Sequence, residues 1–296
     1  MMETIGFIGT GNLGTPIAAN LLKAGYQVKI YNRTREKAKP LEALGAELVD
    51  SPAAAAVKGG IVMSLVSDDK AVESIAGNDL LQALGNGGIH VSMSTISPDT
   101  ARMLSVQHEA QGVAYVAAPV FARPEAAEAR VGNAVISGPA AAKERIRPLL
   151  EAGFAKNIFD LGEDAGSANV LKLIGNFMIA GAIEMMAESF ALAEKNGVDP
   201  KAAYEMLTTT LFASPVFRGY GGMITERKFI GNPAFSAALG LKDMNLVLQT
   251  AGRSYTPMPL ANLVQARLTT VLARNTKDAD WTALAMGALE DAGISI

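Results

Sequence analysis

From Thr4 to about residue 163, short apolar β-type runs alternate with helical runs. Ile5 to Ile8, Gln27 to Asn32, Glu47 to Val49, Ile61 to Leu65, Ile89 to Met93, Ala114 to Ala118, Ala134 to Ser137 and Asn157 to Asp160 read as strands. That alternation predicts a parallel sheet with helices on both faces. Ser51-Pro52 and Ser97-Pro98 each place a capping hydroxyl before a proline suited to a first helical turn, so helices are expected to start there. After Gly162 the strand pattern stops and long Ala, Leu and Met-rich segments begin. The first is expected from about Asp164 to Lys195, ended by Asn196-Gly197, and Asp199-Pro200 opens the next. These shifts divide the chain into an α/β domain over 1–163 and an all-α domain over 164–296, with no repeat, low-complexity tract or flexible linker.

Composition narrows the function. The 296 residues are 49% hydrophobic and 19% charged, an ordinary globular balance for about two domains. With 26 basic against 29 acidic residues the net charge is -3, which gives no broad positive field for nucleic acid or an anionic membrane. A small molecule is the expected partner. There are no cysteines, so disulfides, thiol catalysis and cysteine-ligated metal are excluded, and any redox chemistry must come from a bound cofactor. The start Met1-Met2-Glu3-Thr4 has no basic leader region, and the most apolar run, Asn176 to Glu184, is far shorter than the roughly 20 residues of a membrane span. A soluble, cytoplasmic protein is expected.

Gly9-Thr10-Gly11-Asn12-Leu13-Gly14 follows the first strand and opens a helix that runs to about Ala24-Gly25. In that context Gly9 permits a tight turn, Gly11 lets the backbone approach a pyrophosphate and Gly14 lets helix and strand pack closely, while the helix N-terminus offers amides to phosphate. A glycine-rich turn without a ligand is the competing reading; strand, turn, helix and second strand in order favour the dinucleotide. At the end of the second strand, where an acidic residue usually bonds the ribose hydroxyls of NAD, the chain has Asn32-Arg33-Thr34. Arg33 can pair with a 2′-phosphate and stack on adenine, with hydrogen bonds from Asn32 and Thr34, so NADP is expected. The alternative makes Arg33 and Arg35 solvated loop charges.

Between Gly166 and Asn176 the polar residues Asn169, Lys172 and Asn176 recur at spacings of three and four, on one face of a strongly apolar helix. A lysine held there is expected to be partly desolvated, with its pKa lowered enough to trade a proton near neutrality. A lysine snorkelling to the surface is the bland alternative. Other acids and bases are few: His90 lies in a predicted strand and reads as core, and His108 on an amphipathic helix reads as surface. No tyrosine has a lysine four residues on, and no zinc-spaced cluster exists. Lys172 remains the best acid or base, with Asn176 one turn on to orient the substrate. The Met-rich run Met178 to Met186 reads as packing at a domain or subunit contact.

Taken together, Gly9 to Gly14, Ser94-Thr95-Ile96-Ser97-Pro98, Ala118-Pro119-Val120, Gly166 to Asn176 and Leu241-Lys242-Asp243 make nearly the whole chain resemble the β-hydroxyacid dehydrogenase family, relatives of 6-phosphogluconate dehydrogenase that include 3-hydroxyisobutyrate dehydrogenases and glyoxylate or succinic semialdehyde reductases. The resemblance implies an N-terminal Rossmann domain, a doubly wound parallel sheet, followed by an all-α 6-phosphogluconate dehydrogenase-like domain. It implies that Lys172 is catalytic and Asn176 contacts substrate, that Val66 and Thr95 line the dinucleotide and nicotinamide site, and that Phe235 and Lys242 close over the cofactor. The same carry-over puts Ser94, Thr95, Pro119, Val120, Phe121 and Arg123 at the substrate. A homodimer or homotetramer is implied, with much of the subunit contact made by the helical domain.

The chain departs from the family after Val120, where Ser-Gly-Gly usually binds a substrate carboxylate; here Phe121-Ala122-Arg123 follows. Arg123 either supplies a different carboxylate anchor or braces the loop against Glu125 or Glu128. The expected function is NADP-dependent hydride transfer between the nicotinamide and a small carbonyl or hydroxy compound, with Lys172 as general acid/base and no metal. The rivals are imine reduction, motivated by the altered loop, and a dinucleotide-binding module without turnover.

Overall fold

Strands bury the residues that the sequence makes most continuously apolar, and this sets the order of the main sheet. The computed structural model describes residues 3–231, 233–274, 276 and 278–296; the opening Met1-Met2 lies outside them. Contacts divide the chain into two units, Met1–Lys172 and Leu173–Ile296. In the first, six parallel strands run β1 (Thr4–Ile8), β2 (Gln27–Tyr31), β3 (Glu47–Leu48), β4 (Ile61–Ser64), β5 (Ile89–Ser92) and β6 (Ala114–Ala117). Their order in the sheet is β3-β2-β1-β4-β5-β6. All positions of the central β4 and β5 are buried, as expected where helices cover both faces. One core carries Ile5, Phe7, Ile17, Leu21, Met63 and Val91. Separate clusters include Ile8, Val62 and Leu84, and Ile96, Leu104 and Tyr115.

The helix starts follow their caps. Ser51 Oγ accepts from the amide of Ala54 at 3.1 Å and Ser97 Oγ from that of Thr100 at 3.0 Å, with Pro52 and Pro98 in the first turns. The last three strands depart from the single parallel sheet expected: β7 (Val120–Phe121), β8 (Gly132–Ile136) and β9 (Ala155–Asp160) form a second sheet in the order β7-β8-β9. β7 pairs antiparallel with β8, setting Phe121 opposite Asn133. At two residues, β7 is too short to leave a period in the sequence.

His108 corrects the surface expectation. It is as fully buried as His90, because the Pro98–Glu109 helix turns it inward onto a polar chain. His108 Nδ1 donates to the Leu104 carbonyl at 2.6 Å, which leaves His108 Nε2 as acceptor, 2.9 Å from His90 Nδ1. His90 Nε2 then accepts from Ser64 Oγ at 2.8 Å. These bonds fix neutral tautomers for both rings. Burial, and then the neighbouring His108, push His90 well below the usual histidine range. Burial brings His108 down to about 4 against the favourable bond to Leu104.

The second unit is helical, and among its described residues only isolated bridges, Ile230 to Ala279 and Ser236 to Asp280, pair backbone in the β manner. Its core gathers Phe190, Tyr220, Val264, Leu268, Trp281 and Leu289. Helix Pro200–Thr209 starts at Asp199, whose side chain accepts from Lys201. The long helix, Gly166–Lys195, supplies the last residues of the first unit and the first of the second. By length and composition alone it could cross a membrane, with a mean hydropathy of 1.5 over 18 residues, which exceeds what its short uninterrupted apolar run suggests. Asn169, Asn176 and Glu184 are nevertheless buried along it, as in a core helix with a polar face.

Candidate active site

The order β3-β2-β1-β4-β5-β6 reverses direction between β1 and β4, and in open parallel sheets ligands bind at the carboxyl ends of the strands flanking such a switch. The Gly9 to Gly14 turn lies there, after β1. Gly9 has φ +99°, and a Cβ on it would lie 2.2 Å from the Leu65 carbonyl oxygen. A Cβ on Gly14 would lie 2.0 Å from the Gly9 carbonyl oxygen, so neither position tolerates a side chain. A Cβ on Gly11 would meet nothing within 4 Å; that open space is where a pyrophosphate would approach the backbone. The Gly14–Lys23 helix has no side-chain cap and no acidic residue in its first turn, which leaves its first amides and positive end for phosphate. The Thr10 hydroxyl is buried without a hydrogen-bond partner. The turn therefore fits a dinucleotide.

Asn32 holds this turn in shape. Its Oδ1 accepts from the amide of Thr10 at 2.9 Å and its Nδ2 donates to the Thr34 carbonyl at 2.8 Å, so the side chain braces the turn. The two arginines separate. Arg35 pairs with Asp50 at 2.5 Å, whereas exposed Arg33 makes no ion pair among the described residues. Arg33 is thus the cation left available at the end of β2.

Hydrogen bonds carry the construction from the turn to Lys172. Val66 follows β4, and its methyl would lie 3.2 Å from a Cβ on Gly9; its amide donates to Ser94 Oγ, after β5, at 2.9 Å. Two residues on, the Ile96 amide donates to Asn169 Oδ1 at 3.2 Å, tying the Ser94 to Ser97 loop to the first turn of the long helix. Ser137 fastens the same turn by accepting from the Ala168 amide and donating to the Ala165 carbonyl, both at 3.1 Å. Asp164 accepts from the Gly166 amide at 3.1 Å and receives a fork from Arg102 at 2.9 and 2.8 Å, which holds its carboxyl below the usual range. Since the pair is about half exposed, Asp164→Asn is expected to cost about 1 kcal/mol of stability, mostly through the helix start. Urea unfolding checks this; a change under about 0.3 kcal/mol would leave the start to Ser137 alone.

Lys172, one turn beyond Asn169, is half-buried, and its Nζ lies 4.2 Å from the centroid of the Phe121 ring. Pro119 and Val120, expected at the substrate, have buried side chains, and Val120 belongs to the main core, so they shape the strand under Phe121. Arg123 is half-buried at the start of the Pro124–Glu128 helix. The second unit gathers other residues. Buried Asn176 donates from Nδ2 to Asp243 Oδ2 at 2.5 Å, and Lys242 Nζ lies 2.9 Å from Asp243 Oδ1, close in distance but off hydrogen-bond geometry. Phe235 packs edge-on against Trp281, with ring centroids 4.7 Å apart. Sequence reasoning quoted Asp243 only as part of a motif; the signal that could have found it is a carboxylate next to Lys242 on an apolar helix.

The NAD binding domain of 6-phosphogluconate dehydrogenase matches residues 4–162, and the NAD-binding domain of NADP-dependent 3-hydroxyisobutyrate dehydrogenase matches residues 166–287. The chain belongs to the β-hydroxyacid dehydrogenase family. Within the family it is 41% identical to YfjR, an uncharacterized oxidoreductase of Bacillus subtilis, over 95% of this chain and 98% of that one. It is 31% identical to the 2-hydroxy-3-oxopropionate reductase of Escherichia coli, over 95% of each. The Mycobacterium tuberculosis 3-hydroxyisobutyrate dehydrogenase solved with L-serine superposes with a TM-score of 0.86 at 27% identity, covering 97% of this chain and 99% of that one. Like its family, the chain is an oxidoreductase of hydroxyl and carbonyl groups that uses a nicotinamide dinucleotide and a small-molecule substrate.

Proposed function

We propose that this protein is a cytoplasmic, NADP-dependent reductase of small carbonyl compounds, working in reverse as a dehydrogenase, with Lys172 as its general acid and base. The observation that carries the reading is the half-buried Lys172 amine, seated over Phe121 on a turn that Asn169 ties to the loop after β5. In this reading residues 1–163 hold the dinucleotide and residues 164–296 form the substrate and subunit domain of a homodimer or homotetramer. Gly9, Thr10, Gly11, Asn12, Leu13 and Gly14 receive the pyrophosphate, Val66 and Thr95 the nicotinamide half, and Phe235 and Lys242 serve the cofactor from the helical domain. Bound NADPH supplies a hydride. Lys172 gives the carbonyl oxygen a proton as negative charge develops there, and Asn176 orients the substrate.

The 2′-phosphate falls to Arg33, with Asn32 and Thr34 shaping the strand end. Arg33→Ala is expected to weaken NADPH binding roughly 10- to 100-fold, the worth of a charge-assisted hydrogen bond, and NADH binding less than about threefold. Fluorescence titration of both cofactors checks this, and equal losses would defeat the assignment. The reading as a whole is tested by a panel of aldehydes, 2-oxoacids and cyclic imines under both cofactors. Oxidation of NADPH by the aldehydes or oxoacids supports it; turnover of imines alone, or of nothing, overturns it.

A further inference from the structure

The segment that reaches Lys172 carries no polar side chain: Pro119, Val120, Phe121 and Ala122 run together. Phe121 is held in place by its pairing opposite Asn133 and by packing on the cluster of Val72, Ile96, Leu104, Tyr115 and Val135. Ala122 is also fixed: a Cβ on Gly132 would lie 2.9 Å from the Ala122 methyl, which points that methyl into the second sheet. The Lys172 amine thus rests over an aromatic ring, 4.2 Å from its centroid, and no polar side chain of this segment stands beside it. The ring's negative quadrupole draws an ammonium and repels an anion, and the ring itself offers a carboxylate no hydrogen-bond donor in place of the serine and glycines usual at this segment.

We propose that Phe121 selects the substrate, so that the enzyme takes carbonyl compounds whose chain is uncharged and apolar in preference to those carrying a carboxylate, and that the same ring positions Lys172. The proposal rests on the assignment of Lys172 as proton donor. Specificity and positioning come from the two faces of one contact, because the ring that seats the ammonium also lines the space beside the reacting carbonyl.

The test compares a short aliphatic aldehyde with the same aldehyde bearing a terminal carboxylate, under NADPH, in the full-length protein. Wild type is expected to favour the uncharged member by at least about tenfold in kcat/KM. Phe121→Ser brings the ratio near unity and moves the pH limb of kcat that reports the lysine amine to lower pH. Phe121→Leu, which keeps an apolar side chain without the ring, retains the preference but shows the same pH displacement; Phe121→Tyr retains both. Turnover with a preference for the carboxylate, or a ratio unchanged in Phe121→Ser, overturns this proposal while leaving the reductase reading intact. If Arg123→Gln abolished such a carboxylate preference, the loop's guanidinium would be the anchor and Phe121 would lose the role. Absence of turnover with either aldehyde in wild type overturns both.

Discussion

Lys172→Ala is expected to lower kcat by about 10² to 10⁴, the usual worth of a positioned general acid, while NADPH binding changes less than about threefold. The separation follows from the geometry. The pyrophosphate turn is built from Gly9, Gly14 and the brace from Asn32 to Thr10, all near the start of the chain. Lys172 rests over Phe121, and the turn before it is pinned through Asn169 and Ser137, by bonds that do not involve its charge. Truncation should therefore delete the proton without moving the helix. Lys172→Arg is expected to fare little better than alanine, because a guanidinium stays charged and cannot cycle a proton. Pre-steady-state hydride transfer, followed as loss of nicotinamide absorbance, separates a slow chemical step from slow product release. Turnover of Lys172→Ala within about fivefold of wild type would remove the amine from the reaction and assign proton transfer elsewhere.

The parts of this site legible in the sequence are those with a local period. A glycine turn between strand and helix, and a lysine on a polar stripe of an apolar helix, depend on neighbours a few residues away. The structure keeps both where spacing put them, with helices at Gly14–Lys23 and Gly166–Lys195. What could not be read was pairing across long separations. Ile96 and Asn169 are 73 residues apart and Arg102 and Asp164 are 62 apart, and neither pair leaves a pattern along the chain. Asn32 shows this: from sequence it was a candidate ligand for the cofactor, and the fold adds a brace to Thr10, 22 residues away, that no local pattern announces. Phe121 was visible as an odd residue, but its ring under Lys172 follows from a two-residue strand that has no period. His108 was misread for the same reason, since an amphipathic helix gives no sign that the polar residue on its inner edge has a buried partner.

That buried pair makes the fold acid-sensitive above the range where carboxylates titrate. Both histidines are neutral in the folded protein, with His108 at about 4 and His90 also well below the ordinary value of 6.5. As pH falls below 6.5 the unfolded chain takes up protons that the folded chain refuses, so stability is lost with falling pH; above 6.5 neither state is protonated at these sites and the effect vanishes. For His108 alone the loss between pH 6.5 and pH 4 is about 3 kcal/mol, and it levels off once the folded ring also titrates. His90, also lowered, adds to it in the same sense. Asp160 and Asp164, held down by Lys143 and Arg102, lose their contribution only as pH falls below the ordinary carboxylate range, and Glu184, raised by burial, works in the opposite sense. Comparing wild type with a His108 variant between pH 6.5 and pH 4.5 therefore separates the imidazole contribution from that of Glu184, which is common to both proteins. His108→Gln offers an amide that can accept from His90 Nδ1 and donate to the Leu104 carbonyl without a proton-binding site. Urea midpoints of wild type should fall steeply across that interval and those of His108→Gln distinctly less; parallel slopes would mean that acid attacks the fold elsewhere.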